Sequence, residues 1–211
     1  MVVGYVRRVT SDKPAVGGRK ARKPYPKGVA RRAQILETAL EVFASEGDRK
    51  ASLRAIAERV GLTDTGVLHY FGSREELFLA VIDERDQEST AAAEGAADSL
   101  EAIVRTVRHN MGVPGLVRLY VAMTAAAPEP GHPAGPYFAR RYEQLRAAIR
   151  TGVAVMQEDG RARDDIDAAV LAQLLVAAVD GVQLQWLIDP SVDMAEVVDA
   201  LVTMITSPPA R

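Results

Sequence analysis

Residues 53–72 read L-R-A-I-A-E-R-V-G-L-T-D-T-G-V-L-H-Y-F-G. Two short helices that cross steeply through a tight turn make three demands on such a run. They need a small residue where they touch, and Ala57 supplies it. They need a residue that tolerates a positive φ at the turn, and Gly61 follows four positions later. They need an apolar residue on the second helix that packs back, and Val67 lies ten positions after Ala57. This spacing is the one a DNA-reading helix-turn-helix requires, although an ordinary helical hairpin meets part of it. Ser52 and Thr63 stand where each helix would take its N-terminal cap. Leu53, Ile56, Ala57 and Val60 form the buried face of the first helix, and the second ends near Tyr70.

Upstream, Ile35, Leu36, Ala39, Leu40 and Phe43 recur at three- and four-residue steps, which marks a helix running from about Arg31 to Gly47. Downstream, Ser73 followed by Glu76 is a capping box that opens a fourth helix through about Asp86. Further helices are expected at about 98–111, 114–127, 134–158, 165–188 and 193–206, separated by Gly, Pro and Asp-rich breaks. No stretch alternates as a strand would, and no repeat is present. The class is all-α. The expected organisation is a basic arm at 1–27 without apolar period, a helix-turn-helix domain at 28–88, and a helical body at 89–211.

Charge is distributed unevenly. Residues 1–32 carry ten bases against one acid, so the rest of the chain must be strongly acidic to reach the formal net charge of −2. A basic end on an acidic body suggests that one end meets a polyanion. The chain has no Cys, and His69, His109 and His132 are too scattered for a zinc cluster. Gly-rich phosphate loops and nucleophile motifs are missing from the sequence. An enzyme is therefore not expected, nor is any cofactor. Asp164 and Asp165 are read as capping charge at a helix start. Charges or Gly interrupt the apolar runs short of about 18 residues, so no membrane span is expected and the cytoplasm is the default location.

A resemblance rests on R-A-Q-I-L-E-T-A-L-E-V-F-A-S-E-G (32–47), S-L-R-A-I-A-E-R-V-G-L-T (52–63) and V-L-H-Y-F-G-S-R-E-E-L-F-L-A-V-I-D (67–83). Together these resemble the N-terminal domain of TetR-type bacterial transcriptional regulators. H-P-A-G-P-Y-F-A-R-R-Y (132–142) and D-G-V-Q-L-Q-W-L-I-D-P (180–190) are similar to the body of a subset of them. The resemblance implies an N-terminal three-helix DNA-binding domain joined to a C-terminal domain for dimerisation and ligand binding. It implies a homodimer on a palindromic operator in double-stranded DNA, released by an unidentified small-molecule effector. An architectural DNA binder that ignores sequence is the alternative from another class, and operator discrimination separates the two.

A recognition helix enters the major groove by its N-terminal end, which places Asp64, Thr65 and Gly66 nearest the base edges. Thr63 can cap the helix and also bond a phosphate. Leu68, His69 and Tyr70 fall on the exposed or phosphate-facing side if Val67 and Phe71 point inward. Arg54 and Arg74, near the starts of their helices, suit phosphate contacts. Two positions depart from the family pattern: Asp64 stands where Lys is common, and Leu68 where Tyr usually reaches the backbone. Asp64 either reads a cytosine amino group or is an acid favoured by the helix dipole. Leu68 could meet a thymine methyl. The arm R-K-A-R-K-P (19–24) either lies in a minor groove or takes no part.

Residues 165–188 are apolar around most of the helical circumference, so more than one side must be covered. Leu174, Ala178 and Gly181, with Val197, Leu201 and Met204 on the last helix, are the expected dimer interface. Tyr120, Met123, Phe138, Tyr142, Met156, Gln183 and Trp186 could surround a ligand cavity, although such residues also build ordinary cores. No charged group in this body stands out as an anchor for the ligand.

Overall fold

The structure is a computed structural model that describes residues 26–46, 52–92, 95–96 and 98–207. The described residues form nine helices and no strands. They are α1 (Pro26–Glu46), α2 (Leu53–Arg59), α3 (Asp64–Phe71), α4 (Arg74–Ala92), α5 (Ser99–Asn110), α6 (Pro114–Ala126), α7 (Ala134–Glu158), α8 (Ala168–Ile188) and α9 (Met194–Thr206). The first helix begins at Pro26, five residues before the expected start. Proline suits a first helical turn, where its missing N–H would have no partner. The expected stop at Gly47, and the arm up to residue 25, lie outside the described residues.

Helix ends follow side-chain chemistry. Asp98 Oδ1 accepts from the N–H groups of Leu100 and Glu101, both at 3.0 Å, and opens α5. Asp193 does the same for α9 at 2.9 and 3.0 Å. Asp167 caps α8 through the Ala169 N–H at 2.7 Å. That corrects the reading of Asp164 and Asp165 as capping charge. Asp165 instead accepts two bonds from Arg163, both 2.7 Å, which hold its carboxyl below the usual range.

Two apolar clusters fill the protein. The first joins α1–α4 to α6 and the start of α7, through Ile35, Val42, Phe43, Leu77, Leu116, Tyr120 and Phe138. Phe43 and Phe78 meet edge to face at 5.3 Å, which pins α1 on α4. The second cluster is built by α5, the later part of α7, α8 and α9, through Val104, Val153, Leu175 and Val198. Tyr142 packs against both. By chain position the helix-turn-helix ends in α4; by packing, its core continues into α6 and α7.

The expectation that no segment reaches the length of a membrane span needs correction. α8 has the length and apolar composition to cross one. Its inner face packs in the second cluster, and Asp180 near its middle bonds two tyrosines inside the protein, which is the pattern of a core helix.

Candidate nucleic-acid interface

The turn between α2 and α3 closes as its sequence requires. Gly61 has φ +68°. Its N–H bonds the Glu58 carbonyl at 3.2 Å, and the Leu62 N–H bonds that of Ala57 at 2.8 Å. This paired arrangement satisfies the last carbonyls of α2 and needs a left-handed residue at its corner. Ser52 Oγ accepts from the Ala55 N–H at 3.1 Å, and Thr63 Oγ1 from the Gly66 N–H at 3.1 Å. Ala57, Val67 and Phe71 are buried, so α3 is anchored by one face.

Two arginines counted from sequence within the basic end at 1–32 fasten this unit. Arg31 on α1 donates to the Val60 carbonyl at 2.5 Å, at the negative end of α2. The Arg32 guanidinium lies 4.6 Å from the centroid of Phe71, the last residue of α3. Neither role was visible in the linear charge count.

Asp64, Thr65 and His69 are exposed on α3, while Gly66, Leu68 and Tyr70 are half-buried. A Cβ on Gly66 would come 3.3 Å from Thr63 Oγ1, so the cap and the glycine are matched. Tyr70 packs on the first cluster, with its ring edge to face with His69 at 5.8 Å. Arg54 is exposed and bonds Glu58 at 2.9 Å. That bond, then the charges of Glu58 and Asp64, raise its pKa. Asp64 thus lies in the field of a cation on α2. Arg74, at the start of α4, sets its guanidinium 4.8 Å from the Phe78 ring centroid. Thr63, Asp64, Thr65 and His69 are exposed, as are Arg54 on the preceding helix and Arg74 on the following one.

The residues expected to surround a ligand divide into two groups. Tyr120, Met123, Phe138 and Tyr142 meet at α6 and α7, with Tyr120 and Phe138 edge to face at 5.4 Å. Met156 and Trp186 belong to the second cluster. Gln183 is buried, and its amide donates to the Val179 carbonyl at 3.1 Å. Two open clefts, one between α5 and α9 and one along α7 beside the start of α8, are lined by none of the seven.

Charged groups that the sequence did not single out lie in this region. Asp180 accepts from the Tyr120 hydroxyl at 3.1 Å and the Tyr142 hydroxyl at 2.6 Å. Tyr137 donates to Asp83 at 2.7 Å. Burial pushes the Asp83 carboxyl up, although the Tyr137 bond opposes it. Arg141 grips Asp86 with both terminal nitrogens, the longer contact being 3.2 Å. Burial opposes the Arg141 charge, but Asp86 and the neighbouring tyrosines outweigh it and raise its pKa. Arg85 is buried beside them.

On the outside, α8 carries Val170, Leu174, Leu184 and Ile188, all exposed, and α9 carries Val197 and Met204. Positions 170, 174, 177, 181, 184 and 188 fall on one stripe of a helix with 3.6 residues per turn. Leu174 and Gly181 lie on it, and a Cβ on Gly181 would meet nothing within 4 Å. Ala178 lies at its edge and Leu201 leans into the second cluster.

Comparison with known proteins gives the same architecture a lineage. Residues 35–81 match the family model for bacterial regulatory proteins of the tetR family. Residues 96–207 match that for the C-terminal part of BetI-type transcriptional repressors. The HTH-type transcriptional repressor Rv1474c of Mycobacterium tuberculosis is 29% identical over 72% of this chain and 80% of its own. The repressor AcnR of Corynebacterium jeikeium is 28% identical over 72% of this chain and 79% of its own. Among solved structures, a TetR transcriptional regulator from Chloroflexus aurantiacus superposes with a TM-score of 0.68, at 23% identity, over 87% of this chain and 98% of that one. With one family model on the helix-turn-helix and a second over more than half of the chain, the protein belongs to the TetR family of DNA-binding transcriptional regulators.

Proposed function

We propose that the protein is a cytoplasmic repressor that binds a palindromic operator as a homodimer and is released by a small-molecule effector. The observation that carries this reading is the capped, one-face-anchored α3, whose residues 63–65 are exposed, as are Arg54 and Arg74 on the flanking helices. Thr63, Arg54 and Arg74 bind phosphates; Asp64, Thr65 and Gly66 meet base edges; Leu68, His69 and Tyr70 border the backbone. The exposed stripe of α8 and the outer face of α9 supply the dimer contact, because apolar area of this kind is stable when a second copy covers it. Two-fold symmetry of the protein then demands two-fold symmetry of the site. Two relatives, the repressors Rv1474c and AcnR, support the direction of regulation. Tyr120, Met123, Phe138 and Tyr142 are the part of the expected pocket that the effector contacts.

Selection of binding sites from a random DNA library tests this reading. The expected product is an inverted repeat whose half-sites lie about one helical turn apart or a multiple of it. Binding that shows no sequence preference, or a single asymmetric site bound by a monomer, refutes it.

A further inference from the structure

Among the described residues, the interior where α4, α6, α7 and α8 meet contains a cation without a bonded counter-ion. Arg85 is 4% exposed, and its Nε has no hydrogen-bond partner among the described residues. Its guanidinium stands 5.5 Å from the centroid of the Tyr120 ring, and Arg141 stands 5.4 Å from the same centroid. The carboxylates around it are committed elsewhere: Asp86 to Arg141, Asp180 to Tyr120 and Tyr142, Asp83 to Tyr137. Burial lowers the Arg85 pKa, with Asp86 acting against it from nearby. A buried charge left without a partner is costly, and a guanidinium edge matches a carboxylate with two parallel bonds.

We propose that Arg85 and Arg141 form an anion subsite, and that the effector is a small organic monocarboxylate whose apolar body lies against Tyr120 and Phe138. This rests on the effector-released reading above and gives it a ligand class. One unbonded positive charge calls for one negative charge. A dianionic phosphate would set twice the charge of a carboxylate against Asp83, Asp86 and Asp180, of which, among the described residues, only Asp86 is ion-paired. The apolar body follows from the surroundings, since Tyr120 and Phe138 are buried and edge to face.

Calorimetric titration of the full chain with matched acid and amide pairs tests the assignment. Benzoate with benzamide, and octanoate with octanamide, differ in charge at nearly constant shape; phenyl phosphate supplies the dianion. At least one acid should bind about ten- to a hundredfold more tightly than its amide. The preference should fall to about twofold in Arg85→Met, which keeps an unbranched stem and removes the charge. Arg85→Gln is the second variant should Arg85→Met fail to give folded protein by circular dichroism. No acid preference in the wild type, an undiminished preference in the variants, or tighter binding of phenyl phosphate than of benzoate would each overturn the proposal. Library selection run in parallel keeps the two readings apart. Retained sequence-specific DNA binding without acid preference removes only the anion subsite, whereas lost sequence specificity removes the regulator reading.

Discussion

Tyr137→Phe is the most informative single-atom deletion in the interior. The Tyr137 hydroxyl donates to Asp83 at 2.7 Å, and the bond ties α7 to α4. Tyr137 is 9% exposed, while Asp83 is half-buried. A hydrogen bond to a charged acceptor contributes about 1.5–3 kcal/mol, and the partial solvation of Asp83 puts this one near the lower end, about 1–2 kcal/mol. For a chain of this size that corresponds to a fall in Tm of roughly 2–8 °C. The loss should depend on pH in a definite direction. Burial raises the folded-state pKa of Asp83 above its unfolded value of about 3.9, so stability falls as pH rises through the interval between the two. The Tyr137 bond limits that fall, and its removal deepens it. The deficit of the variant should therefore be largest at neutral pH, shrink as pH falls through the raised folded-state pKa of Asp83, and be smallest by about pH 4. Urea unfolding followed by circular dichroism, at fixed protein concentration and several pH values, measures this. A double-mutant cycle with Asp83→Asn isolates the pair. A deficit that stays constant with pH, or that is unchanged in the Asp83→Asn background, would refute the reasoning.

Three further outcomes are expected. Ile188→Glu, on the most exposed apolar side chain of α8 at 77%, should convert a dimer to a monomer by light scattering without loss of helix content; an unchanged dimer would place the interface elsewhere. Removal of residues 1–25 deletes seven bases, so the log–log salt slope of DNA binding should become shallower by a few units, and an unaltered slope would show that the arm does not touch phosphate. Asp64→Ala should relax preference at one base pair of each half-site by about 1–3 kcal/mol if Asp64 accepts from a cytosine; a uniform gain in affinity across an operator library would assign it to the helix dipole instead.

The helix-turn-helix was legible because each of its demands falls on one residue type at one spacing, and Ala57, Gly61 and Val67 meet them with little competition. The limits of α5, α6, α7 and α9 were legible from Asp, Pro and Gly at their ends. The start of α8 lies three residues past the expected one, because three acids stand within 164–167 and only geometry shows which one caps. α4 was cut short at Asp86 because its second half is charged; that reading also concealed Arg85 and Asp86, which turn inward. Asp180 was lost among apolar neighbours on a helix whose inner and outer faces have nearly the same composition. For the same reason Val170, Leu184 and Ile188 were missed as outer-face residues. Sequence periodicity fails where both sides of a helix are apolar, since only the packing of α7 and α9 selects the inside.

The continuity of the first cluster across the nominal boundary bears on protein engineering. By chain position, a graft that exchanges DNA specificity would be cut within α4. Here such a graft would separate Ile35, Leu77 and Ile82 from Leu116, Leu119, Tyr120 and Phe138, which complete their core. A transplanted head would arrive with its seat missing, and the recipient body would expose the matching face. A functional chimera from this protein should carry the α6 segment and the first turns of α7 along with the head, or recut the facing side chains of the recipient to fit it.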